Sequence, residues 1–261
     1  MTVLLHTNSG RDELNKIYVV GLGPGAQDQI TPKAKEALKN SDVIAGYTVY
    51  VDLIRDEFED KKFIATPMKK ESERCKLAIL EALKGQSVSM VCSGDAGVYG
   101  MAGLMYEMAE KLECLDKLEI SVIAGITAAC SGAALLGAPL IHDFVLISLS
   151  DLLTPWELIE RRLEAAAMAD FSIVLYNPSS VKRHDYLQKA CEIILRHRSE
   201  NNVAGYVENI GRTGEIATVT DLKTLKNTKV NMFTTVFIGN SKTKNIGGKM
   251  VTPRGYKEVD A

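Results

Sequence analysis

Short apolar runs alternate with amphipathic stretches along nearly the whole chain. Strand-like runs occupy Ile17 to Val20, Asp42 to Ala45, Ser87 to Cys92 and Glu119 to Ala124, and helical patterns fall between them at 32–39, 71–84 and 98–113. This alternation predicts α/β layers built on mostly parallel strands. A second series follows, with strands at Phe144 to Leu149, Phe171 to Tyr176, Val203 to Val207, Glu215 to Thr220 and Thr234 to Ile238, and helices near 155–168 and 182–197. Its last members lie close together around a Gly-Arg-Thr-Gly turn at 211–214, which predicts an antiparallel addition at the end of the second sheet. Between the two series, small residues from Ser131 onward close on Gly137 and Pro139, the composition of a helix end and linker. The expected organisation is a flexible extension over 1–16, one α/β domain over 17–138, a second over 139–252 and a tail over 253–261.

Glycine collects at the carboxyl ends of three of these runs. Gly21, Gly23 and Gly25 follow the first, with Pro24 inside the group; Ser93-Gly94-Asp95-Ala96-Gly97-Val98-Tyr99-Gly100 extends the third; Ala124-Gly125-Ile126-Thr127-Ala128-Ala129 extends the fourth. In open α/β sheets ligands bind beyond the carboxyl ends of the strands, and glycine lets a backbone approach them closely. Taken singly, each glycine need do no more than turn a strand into a helix, and Asp95 alone reads as a cap for amides near 97 and 98. Gly21, Gly23 and Ala26 match the loose dinucleotide fingerprint. Helix-start chemistry, however, comes only at Thr31-Pro32, and the acidic ribose partner expected about 20 residues on is missing, because Gly46-Tyr47 follows the second run. A dinucleotide-dependent oxidoreductase is therefore disfavoured.

Composition narrows the partners. With 261 residues, 46% hydrophobic and 25% charged, the chain can bury full cores, and a net charge of −2 gives no global attraction to nucleic acid or anionic membrane. The apolar stretches hold too many polar breaks to span a bilayer. Val3-Leu4-Leu5 is too short an apolar patch for a signal peptide. Five cysteines, odd in number and scattered without a C-x-x-C pair, read as reduced, mostly buried thiols of a cytoplasmic protein, with no metal site.

The glycine loops together resemble those of the tetrapyrrole methylase family, which uses S-adenosylmethionine (SAM): a G-x-G-P-G start, a G-D-x-x-x-Y/F-G loop and a P-G-x-T/S-A-like turn, across about Ile17 to Thr252. His142-Asp143-Phe144, the segment Ser148 to Trp156, and Leu175-Tyr176-Asn177-Pro178-Ser179-Ser180 resemble the branch that methylates C17 of precorrin-3B or its cobalt-containing counterpart, with ring contraction, in cobalamin biosynthesis. Ala124 and Ala96 depart from the prolines of many relatives. The resemblance implies two αβα domains of the class III SAM methyltransferase type, an active-site cleft between them, and a homodimer. It implies cofactor contacts at Gly23, Pro24, Gly25, Ser93, Gly94, Asp95, Val98, Thr127, Ala128, Asn177 and the backbone near Ile210, with S-adenosylhomocysteine as product. Cobalt would enter only within the substrate.

A sulfonium methyl is already electrophilic, so methyl transfer asks mainly for positioning in a water-poor site. Ring contraction moves protons and invites acid or base help. Asp95 and Tyr47 rank first for that role, ahead of Ser148, Ser150 and Asp151; His142 reads more readily as a turn residue. An anionic tetrapyrrole presents carboxylates that Lys69, Lys70, Arg74, Lys182, Arg183, His184 or Arg212 would grip, and Trp156 would wall its plane or simply pack. A methylase of another ring carbon shares the cofactor loops, and a SAM-binding regulator would have no use for the segment from Ser148 to Trp156.

Overall fold

A computed structural model describes residues 14–180 and 183–257. Lys182, most of the expected extension and the last residues of the expected tail lie outside the described residues. In chain order the elements are β1 (Asn15–Gly21), α1 (Pro32–Lys39), β2 (Val43–Tyr47), α2 (Thr48–Asp52), β3 (Lys62–Thr66), α3 (Glu71–Ala82), β4 (Val88–Cys92), α4 (Ala102–Lys111), β5 (Leu118–Ile123), α5 (Ala128–Leu136), β6 (Gly137–Ala138), β7 (Phe144–Ser148), α6 (Trp156–Met168), β8 (Ser172–Tyr176), α7 (Tyr186–Ile194), β9 (Val203–Glu208), β10 (Ile216–Asp221), α8 (Leu222–Lys226), β11 (Thr234–Ile238), β12 (Lys244–Ile246) and β13 (Lys249–Val251). Asn15 and Lys16, assigned to the extension by sequence, begin β1 and pair with Leu118 and Glu119 of β5. Among the described residues no helix is long and apolar enough to cross a membrane.

Contacts divide the chain into two compact units, one of residues 14–23 and 30–125, the other of 24–29 and 126–257 among those described. The first holds a sheet of order β3-β2-β4-β1-β5 with every pairing parallel. Neighbouring residues of one strand go to opposite faces: Val19 packs with Cys75, Ile79 and Met105 of α3 and α4, while Val20 packs with Ala34 and Leu38 of α1. Burial on both faces is why these strands read as continuous apolar runs. α1 starts where the sequence placed it, since Thr31 Oγ1 accepts the Ala34 N–H at 3.1 Å and Pro32 fills the first helical position.

The adjacent strands β1 and β4 lead to helices on opposite faces, α1 and α4. That is a topological switch point, where an open sheet leaves a crevice at its carboxyl edge. The loops after β1 and β4 are the two longest glycine groups in the sequence.

The second unit has a sheet of order β10-β9-β11-β8-β7. Only β7 and β8 pair in parallel; β8 with β11, β11 with β9, and β9 with β10 are antiparallel, so the expected antiparallel addition reaches well into the sheet and "mostly parallel" does not describe it. α6, α7 and α8 cover one face through Leu163, Leu187 and Leu225; α5 covers the other. α5 thus belongs with the second sheet, seated so closely that a Cβ on its Gly132 would lie 2.7 Å from the Phe237 ring. The change of unit therefore falls at Gly125–Ile126, ahead of the linker read at 137–139. A small sheet of order β12-β13-β6 completes this unit.

Candidate functional site

In the first unit three loops meet backbone to backbone at the carboxyl edge. The Leu22 N–H donates to the Cys92 carbonyl at 2.9 Å, and Gly23 and Gly94 exchange N–H to carbonyl bonds of 3.0 and 2.7 Å. Both take left-handed backbone, φ 76° and 67°, which glycine adopts without steric cost. A Cβ on Gly21 would lie 2.6 Å from the Gly94 carbonyl oxygen and 2.7 Å from the Gly125 nitrogen; one on Gly125 would strike the same oxygen. No side chain fits at either place without moving backbone.

Asp95 closes this junction. One carboxylate oxygen accepts the Gly97 N–H at 2.8 Å and the other the Gly125 N–H at 2.9 Å, so the side chain ties the loop after β4 to the loop after β5. It caps amides as its position suggested, but not those of α4, which begins only at Ala102. Ser93 and Val98 on the same loop are half-buried. Tyr47, at the end of β2, meets Tyr50 edge-on at 5.1 Å between centroids. Beneath the loop, burial pushes the Cys92 thiol up to about 11 and that of Cys75 to about 12, leaving both as inert core groups.

In the second unit, Pro24 and Gly25 lie against the turn after β9. Arg212 Nε donates to the Pro24 carbonyl at 3.4 Å, and its side chain covers Gly25 so closely that a Cβ there would lie 2.6 Å from Arg212 Cγ. Arg212 is thus a loop-holding residue of this unit. At the start of α5, the Tyr176 hydroxyl receives the Ala129 N–H at 2.8 Å and shares a 2.6 Å hydrogen bond with Thr127 Oγ1. Thr127 makes no side-chain cap to its own helix, and the phenol of Tyr176 takes over that duty. Asn177 follows in left-handed backbone, φ 52°, and its amide donates to Ser148 Oγ at 2.9 Å. Ile210 is a core side chain packed with Phe237 and Ala133, leaving only its backbone for a ligand.

Beyond Ser148 the same unit carries a charged network that the sequence reading named only in part. Arg183 Nη1 donates to Ser150 Oγ at 2.7 Å and Asp151 Oδ1 at 3.2 Å, its Nε donates to Ser180 Oγ at 3.0 Å, and the Tyr186 hydroxyl donates to Asp151 Oδ2 at 2.6 Å. The Tyr186 hydroxyl, with Arg183 adding to it, holds the Asp151 carboxyl below the usual carboxylate range; the same bond raises the Tyr186 phenol above its ordinary value. Trp156 packs on Tyr186 with centroids 4.4 Å apart. His142 Nε2 donates to the Pro253 carbonyl at 2.8 Å, as befits a turn residue. Lys70 forms an exposed ion pair with Glu73, and His184 is exposed. Tyr176 and Tyr186 were given no role by sequence: Tyr176 entered only as part of the segment from Leu175 to Ser180, and Tyr186 lies beyond it.

Comparison with known proteins bears on this arrangement. The family model for Tetrapyrrole (Corrin/Porphyrin) Methylases matches residues 16–226. A protein of Priestia megaterium named cobalt-factor III methyltransferase is 46% identical over 244 residues, which cover 93% of this chain and 45% of that protein. A protein of Salmonella typhimurium named probable cobalt-factor III C(17)-methyltransferase is 44% identical over 240 residues, 92% of this chain and 99% of that protein. The chain thus spans less than half of one relative and nearly all of the other. The crystal structure of the methyltransferase CobJ superposes with a TM-score of 0.86 at 34% identity, covering 92% of this chain and 100% of that one.

Proposed function

Since the chain belongs to the tetrapyrrole (corrin/porphyrin) methylase family, we propose that it transfers a methyl group from SAM to C17 of a tetrapyrrole of the precorrin-3B or cobalt-factor III type, with ring contraction, in cobalamin biosynthesis. The observation that carries this reading is the 44% identity to the Salmonella typhimurium protein across 99% of that protein's length. SAM, when bound, supplies an electrophilic sulfonium methyl. The chain's part is to hold, orient and exclude water.

The residues suit such a ligand. SAM presents an adenine, a ribose, a sulfonium and an amino-acid end, which call for backbone donors and acceptors and small residues more than for a phosphate nest. Gly21 and Gly125 keep backbone at the carboxyl edge of β1 and β5, where a side chain would strike the Gly94 carbonyl of the loop after β4. The proposed contacts are Gly23, Ser93, Gly94, Asp95 and Val98 of the first unit, and Pro24, Gly25, Thr127, Ala128, Asn177 and the Ile210 backbone of the second. Asp95, with both oxygens on backbone amides, serves as an organiser of the cofactor loops. That leaves Tyr47 as the better of the two candidates for moving a proton during ring contraction.

The reading extends to a homodimer in the cytoplasm acting on an anionic substrate. Light scattering should give about twice the chain mass of 28.5 kDa; the chain mass alone at every concentration would remove the dimer. Incubation with SAM and either tetrapyrrole, followed by mass and absorption spectra, should show gain of one methyl group together with loss of the starting chromophore. No gain of mass with either substrate would overturn the assignment.

A further inference from the structure

Arg74, in the first turn of α3, is 3% exposed. Its Nε donates to Thr66 Oγ1 at 2.8 Å, and Nη2 donates to the carbonyl oxygens of Thr66 and Pro67 at 3.5 and 3.2 Å. Among the described residues Nη1 meets only the thioether of Met101, 3.9 Å away. The guanidinium faces the Tyr47 ring at 5.9 Å from its centroid. Among the described residues no carboxylate lies within ion-pair distance of it.

A buried cation answered only by neutral dipoles is costly to fold around, and an apolar side chain of similar volume commonly does no worse there. What the arginine adds is a standing positive potential, little screened by water. Its neighbours fix where that potential acts. Tyr47 ends β2, Thr66 ends β3, and Met101 closes the loop after β4, so the charge stands at the carboxyl edge where this sheet receives ligands.

We propose that Arg74 is a positioning residue for the substrate: it supplies the counter-charge for a peripheral carboxylate of the tetrapyrrole and sets the Tyr47 ring, without itself touching the ligand. The proposal rests on the tetrapyrrole reading above and deepens it. The rival role, a clamp that only ties the turn between β3 and α3, needs the hydrogen bonds but not the charge.

Three variants separate the two roles. Arg74→Met should keep or raise the melting temperature and leave SAM affinity unchanged, while raising KM for the tetrapyrrole about tenfold with a smaller change in kcat. Arg74→Lys keeps the charge and should recover most of that loss. Arg74→Gln keeps a donor for Thr66 without the charge, should behave as Met does, and stands in for it if the Met variant does not fold. An unchanged KM in the Met or Gln variant, or a Lys variant as impaired as Gln, overturns the assignment while wild-type turnover stands. If the wild-type protein methylates no tetrapyrrole, the functional reading and this proposal fall together.

Discussion

Asp95 shows how one side chain's hydrogen bonds decide between two roles. A carboxylate can accept two amides at once, whereas an asparagine presents one acceptor and one donor. Asp95→Asn therefore satisfies Gly97 or Gly125 and sets N–H against N–H at the other. We expect a loss of about 1–3 kcal/mol in stability by urea unfolding, from the amide left unsatisfied, and weaker SAM binding by calorimetry because the loop after β5 is released. A variant of unchanged stability and SAM affinity but slow turnover would instead make Asp95 a proton carrier. From the sequence, Asp95 between Gly94 and Ala96 was legible as a cap, a role in which asparagine generally serves nearly as well. The second amide, 30 positions away at Gly125, was not legible, since nothing local announces a contact between loops.

Among the elements, those whose side chains face a core on both sides were readable, because burial alone makes them apolar: β1, β4 and β8 stand where their runs predict. β3 was missed. It is an edge strand of five residues, and its apolar Phe63-Ile64-Ala65 is only a three-residue run between Lys62 and Thr66, too short to announce a strand. α4 starts later than its periodicity suggests, because Tyr99 is held in left-handed backbone at φ 53° and interrupts the turn. The hairpin of β12 and β13 was also missed, although Gly247-Gly248, both at positive φ, form the kind of turn that signals one.

Two predictions belong to this scale. Tyr176→Phe deletes the hydroxyl that caps α5 from the end of β8, leaving the Ala129 amide and Thr127 hydroxyl without their partner. We expect about 1–2 kcal/mol lower stability in urea; no change would mean that water replaces the phenol without cost. The second concerns pH. The folded Asp151 carboxyl titrates below its ordinary value because Tyr186 and Arg183 favour its charged form. Its contribution is therefore present above the unfolded value of about 3.9 and is lost as pH falls through the lower folded value. The gap in urea midpoint between wild type and Asp151→Asn should hold steady from neutral pH to about 5 and shrink below about 4; a constant gap in acid would show that the ionised pair does not matter.

For the whole molecule, the glycine loops at the carboxyl edge of β1, β4 and β5 and the network beyond β7 and β8 answer different questions. The first group brings backbone from three loops together, and in the proposed function it meets the cofactor. The segments from Ser148 to Trp156 and from Leu175 to Ser180 are those whose resemblance let the sequence point past the family to a ring position. In the proposed function both groups serve one reaction, methylation at C17. The direct measurement is turnover with SAM carrying an isotopically labelled methyl, followed by NMR of the isolated tetrapyrrole. We expect the label on C17 of a contracted ring; label on any other carbon, or none in the tetrapyrrole, would contradict the account.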